Sequence, residues 1–261
     1  MLDHYHQLTG RVAAGYHLSF SGQLNLSAGI GWGSRAPTVT EAYGYYLNNT
    51  YDKYDYIGNP HLKNESAVEL NAAVEWHPFS GATIGVDGNL FLFSNYIIGQ
   101  FETRLSPMTV GAEGVKVYGN LSHARVANVT LNAGYRLAHA DCKLTLSYAL
   151  GWDADGDPLP FIAPFSYTAR LGYDWRRLRV EAELKGSVRQ TDYAPKYGES
   201  LTPAYAIVGL SANYRLPLGS RLLTLKMGVE NLLDKTYSTY ADWNKIPQKG
   251  RNIYANITFE L

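Results

Sequence analysis

The chain has 261 residues, room for one large all-β domain or two small ones, and its Lys+Arg and Asp+Glu counts are both 23. The formal net charge is therefore zero, which argues against the basic surface that non-specific nucleic-acid binding needs. Cys142 is alone, excluding an intramolecular disulfide and a cysteine-based zinc centre, and no segment approaches the about 18 apolar residues of a membrane-spanning helix.

The N-terminus, MLDHYHQLTGR, lacks the basic and apolar regions of a signal peptide, so either the protein is cytosolic or its front end is missing. From there on the chain reads with period 2, the signature of strands with two unlike faces. Segments 12–20 and 24–33 open the series, with a turn near Ser21-Gly22 between them. A long connection over 34–65 leads to 68–76, where Val68, Leu70, Ala72, Val74 and Trp76 alternate with Glu69, Asn71 and Glu75. Strands follow at 84–92, 129–137, 144–152 and 167–175. Residues 179–189 set Val180, Ala182, Leu184, Gly186 and Val188 against Arg179, Glu181, Glu183, Lys185, Ser187 and Arg189. The last three are 206–216, 223–230 and 251–261, the final one ending on Leu261.

Eleven strands result, most of them about ten residues long, roughly what a tilted bilayer crossing needs and longer than ordinary globular strands. Connections alternate in length. Short ones sit near Ser21-Gly22, Pro78–Gly81, His139–Asp141, Arg176-Arg177 and Pro217–Ser220; long ones near 34–65, 104–115, 153–162, 190–204 and 232–250. Aromatics gather at strand ends, among them Phe20, Trp32, Trp76, Phe79, Tyr135, Tyr148, Trp152, Tyr173 and Trp175. Alternation alone suits both a soluble β-sandwich and an outer-membrane barrel. Strand length, loop asymmetry and 21 tyrosines favour the barrel.

Several stretches, in order, resemble the TonB-dependent outer-membrane receptors. These are SRAPTVTEAYGYYL (34–47), GNPHLKNE (58–65), NLSHAR (120–125), PLPFIAP (158–164), VENLLDKTY (229–237) and GRNIYANITFEL (250–261). The resemblance implies an all-β transmembrane antiparallel barrel. Residues 1–261 would be the C-terminal part of that barrel domain, a partial barrel of about eleven strands out of 22. It also implies a plug domain and a TonB-contacting motif, neither of which is in this sequence. Strand parity points the same way: with eleven strands, the first and last run in one direction and cannot close antiparallel.

By that resemblance the intact receptor sits in the outer membrane of a Gram-negative bacterium and captures a scarce nutrient complex, such as a siderophore, haem or cobalamin. The ligand is imported through the lumen when TonB pulls the plug. Expected partners are outer-membrane lipid, the TonB system through the plug only, and the barrel-assembly machinery through the C-terminal strand. There is no nucleic acid, no cofactor and no catalytic residue. A passive porin or adhesin barrel is the alternative.

Ligand-binding candidates are the loop aromatics Tyr43, Tyr45, Tyr46, Tyr51, Tyr54 and Tyr56, with Tyr240 and Trp243 in a second loop, because rigid amphipathic rings make good contact surface. The polar strand positions Arg179, Glu181, Glu183, Lys185, Lys226 and Glu230 would line the lumen and hold the plug. His4-x-His6 has no third metal ligand nearby, and DADGD (153–157) resembles a calcium-loop start without its closing glutamate, so it reads as a solvated turn. No GxSxG, HExxH, P-loop or dinucleotide fingerprint occurs.

Overall fold

Strands that alternate over about ten residues must pair along their whole length, since every backbone N–H and C=O needs a partner. The computed structural model describes residues 9–20, 22–219 and 221–260, and it shows this pairing. The strands are β1 (Gly10–Phe20), β2 (Leu24–Arg35), β3 (Leu47–Asn49), β4 (Tyr54–Ile57), β5 (Glu65–Trp76), β6 (Ala82–Phe101), β7 (Gly114–Leu137), β8 (Ala140–Asp153), β9 (Ser166–Trp175), β10 (Leu178–Ser187), β11 (Tyr205–Leu218), β12 (Arg221–Glu230) and β13 (Asn252–Glu260). All but β3 and β4 join in sequence order as one antiparallel meander, β1-β2-β5-β6-β7-β8-β9-β10-β11-β12-β13. Each has its neighbours in that order beside it, and among the described residues β1 and β13 have one partner each.

Register sorts the side chains into two faces. One cross-strand row runs Val12, Trp32, Val68, Leu92, Arg125 and Trp152, apolar except for Arg125. The same face carries Ile30, Leu70, Val129, Leu171, Met227 and Ile257, all exposed. An apolar face of this extent left open is foreign to a soluble domain, which buries it against a second layer. The opposite face is polar: Asp141, Lys143, Arg170, Asp174, Arg179, Glu181 and Glu183 lie together across β8, β9 and β10.

The tight turns collect at one end of the sheet. The chain reverses at Ala138-His139 and Arg176-Arg177, with Ala138 and Arg176 in the left-handed region (φ 46° and 55°). Gly81 (φ 84°) closes the β5–β6 turn, where an added Cβ would lie 2.3 Å from the Arg136 carbonyl oxygen, so only glycine fits. Ser21, Ser220 and Leu261 of the expected turns and terminus, and His4 and His6, lie outside the described residues.

The structure extends the sequence reading at three places. β6 and β7 run far past the segments expected at 84–92 and 129–137, to Phe101 and back to Gly114, so NLSHAR lies in the middle of a strand. The 34–65 connection is folded. It holds helix α1 (Val39–Tyr43) and the β3–β4 hairpin, and β4 pairs in parallel with the start of β7. Finally, residues 156–159 fold back beside the top of β8, through a Trp152–Pro158 bridge and a hydrogen bond from the Leu159 N–H to the Gly151 carbonyl.

Candidate functional site

All the long connections leave the same end of the sheet, and there they are tied to one another. The first begins at α1. Thr38 caps it: its Oγ1 accepts from the Glu41 N–H, and Glu41 accepts from the Thr38 N–H. The same Glu41 and Glu65 of β5 grip Arg35 at 2.8 and 2.9 Å, so the exit of β2, the helix and the start of β5 share one guanidinium.

Beyond it, β4 lays its side chains over Lys116 of β7. Lys116 Nζ donates to Asp52 Oδ2 at 2.7 Å, and the Tyr56 hydroxyl donates to the same oxygen at 2.5 Å. Four rings surround the ammonium: Tyr54, Trp243, Phe101 and Tyr56, with centroids 4.1, 5.0, 5.3 and 5.4 Å away. Lys116 and Asp52 are both buried. Burial pushes the lysine's pKa below its ordinary value, and the bond to Asp52 opposes this only in part.

Trp243 brings the last long connection into this cluster. Its ring stacks on Phe161 at 4.6 Å, and Asn244 donates to the carbonyls of Thr50 and Tyr51. Connections from β2–β5 and β12–β13 therefore touch, although six strands separate them in the sheet. The sheet must curl for that to happen.

A second buried corner involves Glu199. It accepts from the N–H groups of Ala194 and Phe161 and from Gln190 Nε2. Desolvation raises its carboxyl pKa above the ordinary range, with those hydrogen bonds pulling the other way. Nearby, Lys245 Nζ donates to Thr202 Oγ1 at 2.7 Å. The DADGD turn is not merely solvated: Lys196 Nζ sits among Asp153, Asp155 and Asp157 at 2.7, 2.8 and 2.8 Å, filling the place a cation would take. Tyr197 also donates its hydroxyl to Asp153.

The loop aromatics read from sequence divide into two sets. Tyr54 and Tyr56 turn inward onto Lys116, and the hydroxyl of Tyr56 is committed to Asp52. Tyr43, Tyr45 and Tyr51 are exposed, at 58, 72 and 67%. Tyr46 is half-buried with its ring edge-on to Tyr45, and Tyr240 and Trp243 are half-buried. On the polar face, Arg179 is shared by Asp141, Asp174 and Glu181, and Arg170 pairs with Glu183. Lys226 lies 5.8 Å from the Tyr254 ring and Glu230 accepts from Asn252, while Lys185 pairs with no acid among the described residues. Sequence reasoning missed Asp52, Lys116, Gln190, Lys196 and Glu199. The lysine and its carboxylate are 64 residues apart.

Comparisons with known proteins agree with this geometry. A search of curated proteins finds no match. Among solved structures the fold resembles the copper transporter OprC, with a TM-score of 0.80 at 17% identity over 95% of this chain and 39% of that one. It also resembles the ferric enterobactin receptor of Pseudomonas aeruginosa (a Q482A mutant in complex with enterobactin; TM-score 0.73, 20% identity, 96% and 40% covered). The siderophore receptor PirA of Acinetobacter baumannii is similar at a TM-score of 0.69 and 16% identity, with 95% and 40% covered. This chain thus spans about two fifths of the receptors it resembles. The family described as TonB dependent receptor-like, beta-barrel, a receptor and transport fold rather than an enzyme fold, matches residues 2–232. The chain belongs to that TonB-dependent receptor β-barrel family.

Proposed function

We propose that this chain forms part of an outer-membrane receptor that captures a scarce nutrient complex at its long loops and admits it to the barrel lumen under the control of TonB. The observation that carries the reading is the pairing of a bare apolar strand face with a set of knitted loops at one end only. Lipid covers such a face, and loops tied across the curl through Lys116 and Asn244 form a cap rather than an open mouth. A passive pore would need that end open.

On this reading the exposed Tyr43, Tyr45 and Tyr51, with Tyr240 beside them in function, contact the ligand. The polar face lines the lumen, and Lys185, Lys226 and Glu230 are the groups there freest to meet a plug. Copper and siderophore complexes are the cargo named for the similar structures, and a cargo of that broad class fits here.

Two measurements test the proposal. Deleting the gene should abolish growth on one scarce nutrient complex, as loss of TonB does; uptake that persists without TonB would make the protein a passive pore. A thiol-specific, membrane-impermeant label should reach V110C on whole cells but not F79C at the tight-turn end, and the reverse pattern would refute the orientation.

A further inference from the structure

The last long connection is built in two parts. β12 ends at Glu230 and β13 begins at Asn252, and the residues between them hold neither helix nor strand. They are pinched at the base instead. Asn231 is buried; its Nδ2 donates to the carbonyls of Lys235 and Lys249 at 2.8 and 3.2 Å, and its Oδ1 accepts from the Lys235 N–H. Arg251 closes the same neck, its Nε donating to the Leu232 carbonyl and its N–H to Asp234 Oδ1. Just above, the Gln248 N–H reaches the Tyr237 carbonyl. The two arms are thus bonded to each other, as in a compact loop whose ends lie close.

The tip is organised differently. Asp242 accepts from the N–H groups of Asn244 and Ile246, which fixes residues 242–246 in a turn. Three consecutive side chains then seat that turn on three other connections. Trp243 stacks on Phe161 of the β8–β9 connection, and Asn244 donates to the Thr50 and Tyr51 carbonyls of the β2–β5 connection. Lys245 Nζ donates to the Ser200 carbonyl and to Thr202 Oγ1 of the β10–β11 connection. These neck bonds stay inside one connection, whereas the tip contacts leave it. Breaking the second set leaves the first whole, which is what a hinged body requires.

The seated state is also easy to leave. Water replaces the hydrogen bonds of Asn244 and Lys245 once the tip lifts, so each contributes modestly. Trp243 Nε1 is buried without a hydrogen-bond partner while the tip is down, and lifting hydrates it.

We infer that residues 235–249 are a lid, hinged at the Asn231 neck and seated through Trp243, Asn244 and Lys245 across the mouth of the lumen, which lifts as one body to admit cargo. The inference rests on the receptor reading above.

The test uses the whole receptor, expressed from its own gene in cells, with fluorescein maleimide as the probe. Cys142→Ala gives a cysteine-free parent, and A149C is the reporter. Ala149 lies on the polar face below the long connections, where it lines a cavity of about 310 Å³ with Asn89, Asn128 and Ser166. Labelling of the reporter should be about tenfold or more faster in N244A/K245A than in the parent. It should be about tenfold or more slower than in the parent once T50C and N244C are bridged by a short bis-maleimide before the probe is added. A V110C reporter, outside the lid, should label alike in all three. An unchanged rate in N244A/K245A means that the segment covers nothing, and an unchanged rate after bridging means that it is a fixed brace. Either result overturns the lid and leaves the receptor reading, which is judged by TonB-dependent growth. Trypsin tests the hinge separately. N231A should be cut at Lys235 and Lys249, while N244A/K245A should resist there as the parent does; cleavage of both alike would show a loop that melts rather than swings, and would overturn the hinge.

Discussion

At the scale of single residues, the Lys116–Asp52 pair is the contact on which the cap depends. Both groups are out of water, so the pair contributes little net stability while whole, but removing one partner strands the other. Lys116→Met should therefore destabilise the loop end by about 3–5 kcal/mol, read as accelerated proteolysis within 36–64. The K116M/D52N double variant should recover part of the loss, and equal losses in both variants would show the pair to be incidental. Glu199 gives the second test. Its folded pKa is raised, so between the ordinary value of 4.5 and that raised value the folded chain holds a proton which the unfolded chain has released. Stability should fall as pH rises through this window and stay lower above it. Glu199→Gln should flatten the dependence and raise the denaturation midpoint at neutral pH, followed by Trp243 fluorescence. A midpoint that rises with pH across the same window would contradict the assignment. Neither group was legible in sequence. VKVY around Lys116 reads as an unremarkable strand fragment, and only the parallel pairing of β4 with β7 shows that it meets Asp52.

At the scale of elements, eleven strands were legible because one face must be apolar while the other stays polar, which stamps period 2 on the sequence. The signal failed where that requirement lapses. Tyr96, Ile97 and Ile98 are consecutive bulky residues near the top of β6, just past Asn95 (φ 55°), which drops out of the pairing with β7 and shifts the alternation, and Ile97 is buried. The β3–β4 hairpin is too short to show a period at all. The same logic predicts how the strands respond to charge. Leu184 and Met227 are exposed on the apolar face near mid-strand, at 40 and 62%. Leu184→Arg or Met227→Arg should cost about 2–4 kcal/mol in a bilayer, whereas Lys185→Met and Lys226→Met, one residue away on the opposite face, should cost much less. Refolding into lipid vesicles measures both, and equal costs on the two faces would mean the sidedness has been assigned wrongly.

At the scale of the whole molecule, the constraint is the two edges. Every neighbouring pair in the eleven-strand path is antiparallel, so β1 and β13 run in the same direction. They cannot pair with each other antiparallel, and a second copy turned about the barrel axis would also meet them parallel. The outer side of β13, Asn252–Glu260, presents the N–H and C=O of every second residue to whatever lies beside it. In hydrocarbon each such group costs several kcal/mol, and two edges together exceed the about 5–15 kcal/mol by which a domain is stable. The 261-residue chain expressed alone should therefore aggregate, join edge to edge or be degraded, and transport nothing. Strands supplied alongside it, odd in number so that both junctions are antiparallel, should restore a closed barrel. Refolding in detergent followed by electrophoresis with and without heating decides the matter. A heat-modifiable, protease-resistant monomer formed by these residues alone would show that the edges close in a way the observed register forbids.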